Sequence, residues 1–247
     1  GNPWNFDIPS MRAKAERLLK EQRPTLLIGS LMCTPFSTLQ NLNSKKRDPE
    51  AVRREKDAGR LHLAWCCKLY RQQLQRGAYF LREHPNFVIS LQERCIKEVL
   101  ALRGVGRVTA DQCQFGQQSA EGEPIKKPTR WMSNSEAILK RLDRQCTGSS
   151  GLCSDGRAHR TCSGATARKA SIYPCELCRA ILEGFWDHIE EQGRLVKGLC
   201  TLNAGTEQDL HADDQPEASL ELLKLEAARH QLGDIFDATT GQLLKGQ

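Results

Sequence analysis

Short apolar runs alternate with longer stretches of helical periodicity along the first half of the chain. The apolar runs lie at 26–37, 79–85 and 108–116, and each ends in polar or turn-forming residues. Between them, residues 49–77 and 91–102 place apolar side chains on one stripe of a helix. Because alternating strands and helices are typical of open α/β folds, the pattern predicts a doubly wound, mostly parallel sheet.

The ends of the predicted strands carry reactive side chains. Cys33 follows the first run, and Glu83 closes the second run just before His84 and Pro85. Ligand sites of open α/β sheets form at the carboxyl ends of the strands. A thiolate is a strong nucleophile once its pKa is lowered, so Cys33 is a candidate nucleophile. A lone cysteine is more often a small buried apolar residue, and this alternative stays open.

Several short motifs occur in a recognisable order along the chain. They are NFDI at 5–8, CTPFS at 33–37, FLREHP at 80–85, KPTRW at 127–131 and ASIYPCELCRAI at 170–181. Together they resemble the cofactor-side motif, nucleophile loop, carboxylate strand, basic strand and last helix of cytosine-5 DNA methyltransferases. The resemblance implies a Rossmann-like methyltransferase fold.

The resemblance also implies a role for particular residues. Cys33 would add to C6 of a cytosine flipped out of its duplex, and Glu83 would hold the N3 edge of that base. S-adenosylmethionine would supply the methyl group, with Asp7 on the cofactor side. Lys127 and Arg130 would contact the nucleic acid.

One motif of that family is missing from the chain. No Phe-x-Gly-x-Gly loop occurs, and this loop lets the backbone approach the cofactor at a helix N-terminus. We therefore expect a degenerate methyltransferase-like domain that does not bind S-adenosylmethionine by itself. The alternative is an active enzyme completed by an upstream cofactor-binding segment.

A second resemblance concerns the wider context of the chain. The same motifs, with GDIFDATTGQLL at 233–244, resemble a segment found upstream of the reverse transcriptase in copia-type retrotransposon polyproteins. This implies partners within a larger polyprotein. It also leaves open a structural segment without chemistry of its own.

The charge of the chain is unevenly distributed. The net charge is +6, although residues 201–247 hold nine acidic and three basic side chains. A basic body with an acidic end is typical of polyanion binders, so nucleic acid is the expected partner, with DNA favoured. Lys45, Lys46 and Arg47 follow the Cys33 loop and are candidate phosphate contacts. An ordinary solvated surface is the alternative.

A loop at 144–164 combines cysteine and histidine with many small polar residues. Cys146, Cys153, His159 and Cys162 lie in it with almost no apolar neighbours. Such a loop has too few apolar side chains to fold by burying them. A tetrahedral zinc ion would supply the missing folding energy. The loop therefore predicts a zinc site, and a flexible loop of free thiols is the alternative.

The domain organisation follows from composition. We expect a methyltransferase-like α/β domain at 1–200, an acidic linker at 201–219, and a short helix with a tail at 220–247. No apolar stretch approaches the length of a membrane span, and no signal segment opens the sequence. We therefore expect an intracellular protein, nuclear or cytoplasmic, without a membrane partner.

Overall fold

The computed structural model describes residues 4–30, 34–37, 47–86 and 88–193, with the backbone of 235–237 and 243–244. The helices are α1 (Pro9–Gln22), α2 (Pro49–Gln75), α3 (Arg94–Leu100), α4 (Glu136–Leu142), α5 (Gly164–Lys169) and α6 (Cys175–Glu191). The strands are β1 (Leu26–Ser30), β2 (Tyr79–Pro85), β3 (Gly106–Asp111), β4 (Pro128–Ser133), β5 (Ile235–Asp237) and β6 (Leu243–Leu244). Short 3₁₀ turns cover Thr34–Phe36, Ile89–Gln92 and Gln112–Phe115.

The strands form one mixed sheet in the order β3-β4-β2-β1-β5-β6. β1 runs parallel to β2 and β5, whereas β4 lies antiparallel between β2 and β3. The predicted α/β class is confirmed, but the sheet is mixed rather than mostly parallel. The connection from β3 to β4 contains a 3₁₀ turn instead of a crossover helix, so the chain reverses there and pairs antiparallel.

Most of the predicted elements agree closely with the structure. The first two runs form β1 and β2, and the predicted helices correspond to α2 and α3. The third run is extended only as far as Asp111, and its remainder turns as a 3₁₀ helix over Gln112–Phe115. This turn directs the polar end of β3 towards the 144–164 loop.

Helices cover both faces of the sheet. On one face, α2 and α3 contribute to a buried cluster that includes Leu69, Tyr70, Phe80, Ile96, Val99 and Met132. On the other, α4 and α6 contribute to a cluster that includes Leu26, Leu81, Trp131, Ile138, Leu177 and Phe185. Full burial of one such side chain stabilises the fold by roughly 1.5–3 kcal/mol, so these two layers fix the strand ends in place.

The end of the chain is described in part. The predicted acidic linker at 201–219 and residues 220–234 of the predicted helix and tail lie outside the described residues. Residues 235–237 pair with β1 as a strand, and 243–244 pair with 235–236. Among the helices of the described segments, none is long and apolar enough to cross a membrane.

Candidate metal centre and strand-end site

A small hairpin presents two of the predicted metal ligands. The backbone N–H of Cys153 donates to the carbonyl of Arg157 at 2.7 Å, and that of His159 donates to Gly151 at 2.8 Å. Gly156 makes the turn between them with a positive φ of 84°. The hairpin thus places the Cys153 and His159 side chains near one another.

Cys146 is held against the end of β3. Its backbone N–H donates to Asp111 Oδ2 at 2.8 Å, and the Asp111 N–H donates to the Arg144 carbonyl at 2.9 Å. The chain then turns at Gly148, where a Cβ atom would lie well inside van der Waals contact of the Leu152 carbonyl. Glycine is therefore required for this close approach of the loop to the hairpin.

Four potential ligand atoms converge at this point. Cys113, Cys146, Cys153 and His159 place their sulfur and nitrogen atoms within 4.8 Å of one another. Cys146 Sγ lies 3.8 Å from Cys153 Sγ and 3.7 Å from His159 Nε2. Tetrahedral zinc with Zn–S bonds of about 2.3 Å requires S–S and S–N edges of about 3.8 and about 3.6 Å. The group could therefore hold a metal ion.

Neighbouring donors contact these sulfurs, and burial opposes their effect. Ser154 Oγ donates to Cys146 Sγ at 3.4 Å, and Gln114 Nε2 lies 3.6 Å from Cys113 Sγ and 3.7 Å from Cys153 Sγ. Burial acts to raise the pKa of Cys146, but hydrogen bonds from Ser154 and the Gly148 backbone outweigh it and lower that pKa to about 6. Burial raises the pKa of Cys113 to about 12.

The group differs by one member from the predicted ligand set. Cys146, Cys153 and His159 are brought together, whereas Cys162 is outside the group and Cys113 is inside it. Cys162 is half-buried, and this burial raises its pKa, with the positive charge of Lys127 opposing the effect. No local sequence pattern marks Cys113, which lies two residues after the end of β3, the strand that supports the loop.

The predicted carboxylate lies at the carboxyl end of β2. Ser30 at the end of β1 is in register with Glu83, and its hydroxyl donates to Glu83 Oε2 at 2.7 Å. Glu83 is 4% exposed. Cys33 lies outside the described residues.

A cavity of about 540 Å³ lies beside the 3₁₀ turn at Thr34–Phe36, which follows β1 in sequence. Asp7 lines it together with Thr34, Phe36, Gly59 and His62. The predicted cofactor-side residue and the residue that follows Cys33 in sequence therefore face the same cavity.

The predicted basic residues are divided between different environments. Arg47 forms an ion pair with Glu55, and Lys127 Nζ donates to the carbonyl of Ala170 at 2.9 Å. Arg130 lies in β4 and is partly buried. Lys45 and Lys46 lie outside the described residues. Lys127 thus ties the segment before α6 to the sheet.

Comparison of the chain with protein-family models, curated proteins and solved structures found no match.

Proposed function

We propose that this chain is a zinc-binding domain in which Cys113, Cys146, Cys153 and His159 hold a structural zinc ion. The observation that carries the proposal is the spacing of the ligand atoms, with edges of 3.8 and 3.7 Å around Cys146 Sγ. Three thiolates and one imidazole in tetrahedral arrangement favour zinc over harder cations. Since four protein ligands fill the coordination sphere, no position is left for a catalytic water.

The burial of the surrounding loop supports a structural role. Between Asp143 and Ser163, the two buried residues are Cys146 and Cys153, and both belong to the proposed ligand group. A segment with so little buried apolar surface cannot offset its conformational entropy by packing. Metal binding would supply the stabilisation instead, as it does in small zinc domains.

Metal analysis of the purified chain tests this proposal. We expect one zinc per chain after expression with zinc. After exchange, Co²⁺ should show the spectrum of a tetrahedral site and thiolate-to-cobalt charge transfer. A chain that takes up neither metal, or binds Co²⁺ in an octahedral site, would contradict the proposal.

We propose as a second candidate function a degenerate, Rossmann-like cytosine methyltransferase pocket that associates with nucleic acid in a retrotransposon polyprotein. Supporting it are the Ser30–Glu83 hydrogen bond at the ends of two parallel strands and a cavity lined by Asp7 and Thr34. Cys33 lies between Ser30 and Thr34 in sequence and would be the residual nucleophile. By the same resemblance Glu83 would be the carboxylate that holds the base.

Two measurements test the second candidate. Calorimetric titration should give no S-adenosylmethionine binding by this chain alone, because its sequence lacks the glycine-rich cofactor loop. At neutral pH, a thiol reagent should modify Cys33 faster than Cys178, an exposed cysteine without a strand-end setting. Micromolar binding of S-adenosylmethionine would favour an active methyltransferase over a degenerate one. Slower modification of Cys33 than of Cys178 would argue against a residual nucleophile at Cys33.

A further inference from the structure

Cationic and polar side chains share one face of the sheet at its β3 edge. Two cross-strand rows run over β2, β4 and β3, one formed by His84, Arg130 and Thr109 and the other by Arg82, Met132 and Arg107. Residues directly opposite each other in antiparallel strands project on the same side. Three guanidinium groups therefore lie on the face that also carries the buried Met132.

Two of these side chains are buried with unused hydrogen-bonding groups. Arg82 is 0% exposed, and its Nη2 donates to Ser90 Oγ at 3.2 Å. Its Nε and Nη1 have no hydrogen-bond partner within the described part of the chain, and neither do the ring nitrogens of the 1% exposed His84. Burial, followed by the charge of Arg82, lowers the pKa of His84 to about 3, so the imidazole is neutral. The buried Arg82 therefore adds positive charge to this face of the sheet, close enough to Arg130 to lower the pKa of that residue.

A polar pocket of about 330 Å³ opens beside these rows. Arg107, Thr109 and Arg130 line it from the sheet, and Asp143 and Gln145 line it from the segment that precedes Cys146. In the described segments neither arginine forms an ion pair. Burial lowers the pKa of Arg130, and the positive charges of Arg107 and Arg82 add to this effect. Two guanidinium groups against one carboxylate leave the lining with an excess of positive charge.

We propose that this pocket binds a phosphate group through Arg107 and Arg130. A guanidinium group offers paired N–H donors that match phosphate oxygens in a bidentate arrangement. The Thr109 hydroxyl and the Gln145 amide add neutral donors to the same lining. The phosphate can belong to a free nucleotide or to a nucleic-acid backbone. The polymer case extends the nucleic-acid association proposed above, whereas the pocket itself does not depend on the methyltransferase resemblance.

Binding of a fluorescent single-stranded oligonucleotide to the zinc-loaded full chain tests the proposal, with a nucleoside monophosphate as competitor. R107Q removes an exposed pocket arginine, and R103Q removes an exposed arginine of the turn before β3, so both variants have the same net charge. We expect R107Q to weaken binding at least tenfold and R103Q less than twofold. R107K retains the positive charge but lacks the paired guanidinium donors. Its affinity for the oligonucleotide should lie between those of R107Q and the unmodified chain.

The competitor distinguishes the two sources of phosphate. Loss of binding in R107Q with displacement by the monophosphate supports a pocket that accepts free nucleotides. Loss in R107Q without displacement supports recognition of the polymer backbone. No measurable binding to either probe, or equal losses in R107Q and R103Q, would overturn the proposal. Matching thermal melting of R107Q and R103Q checks that the fold is retained.

Discussion

At the scale of single residues, the candidate metal centre depends on close approaches that few side chains permit. Gly148 allows the loop to pass against the Leu152 carbonyl, and its backbone N–H supports the Cys146 sulfur. Gln114 spans the Cys113 and Cys153 sulfurs with one amide. Such groups orient ligands without binding the metal themselves.

We expect Gly148→Ala to weaken zinc affinity by about 10- to 100-fold, because the added Cβ forces the loop away from Cys153. Competition with a chromophoric chelator measures the affinity. Ser149→Ala is the matched control, since Ser149 is exposed and neighbours Gly148. Equal affinities of the two variants would show that the close approach at Gly148 does not support the site.

Three of the four converging side chains could be predicted from the sequence because they lie close together in one polar loop. Cys113 could not, since its contact with Cys146 depends on how β3 ends and how the loop returns to Asp111. The same polar loop also predicts Cys162 as a ligand, but the chain continues past the hairpin towards α5 before reaching it. Sequence proximity therefore identified the loop, and tertiary pairing determined the group.

At the scale of elements, the packing of α2 on β1 is set by a glycine. A Cβ atom on Gly29 would lie well inside van der Waals contact of Tyr70 Oη. Tyr70 is buried, and its hydroxyl has no hydrogen-bond partner within the described residues. The helix can thus approach the strand whose end carries Ser30.

We expect Gly29→Ala to lower the free energy of unfolding by about 1–3 kcal/mol through overpacking. Tyr70→Phe alone should be close to neutral, because it removes a buried hydroxyl that lacks a partner. The double variant should regain part of the loss, since the nearest atom has been removed. Denaturant unfolding of the four proteins measures this coupling, and strict additivity would argue against the contact.

β1 and β2 were predictable from the sequence, but the order of the strands in the sheet was not. β1 and β2 follow from apolar runs bounded by turn-forming residues, and the parallel pairing follows from α2 between them. The place of β4 between β2 and β3 depends on long-range pairing, with Trp131 opposite both Glu83 and Val108. No local pattern in the sequence specifies that order.

At the scale of the whole molecule, the metal centre would connect the sheet to a peripheral hairpin. Arg157 Nη1 donates to the Gly122 carbonyl at 2.7 Å, and the Arg160 N–H donates to the Pro124 carbonyl at 2.9 Å. These contacts fasten the hairpin to the β3–β4 connection. A single hydrogen bond contributes little net stability, so these two contacts alone would hold the hairpin only weakly without the metal.

We expect chelation of zinc to open the 144–164 loop while the sheet stays folded. Trypsin should then cleave after Arg144, Arg157 and Arg160 about tenfold faster than in the zinc-loaded protein, because local opening governs proteolysis. Cleavage after Arg103, in the exposed turn before β3, should change little. Equal acceleration at all sites would indicate global unfolding instead.

The most direct test of the central claim compares the zinc content of Cys113→Ser and Cys162→Ser. Both remove one thiol, but the first belongs to the converging group and the second does not. We expect Cys162→Ser to retain one zinc per chain and the cobalt charge-transfer absorption, and Cys113→Ser to lose the zinc or bind it at least tenfold more weakly. Retention of zinc by Cys113→Ser together with its loss from Cys162→Ser would contradict the account.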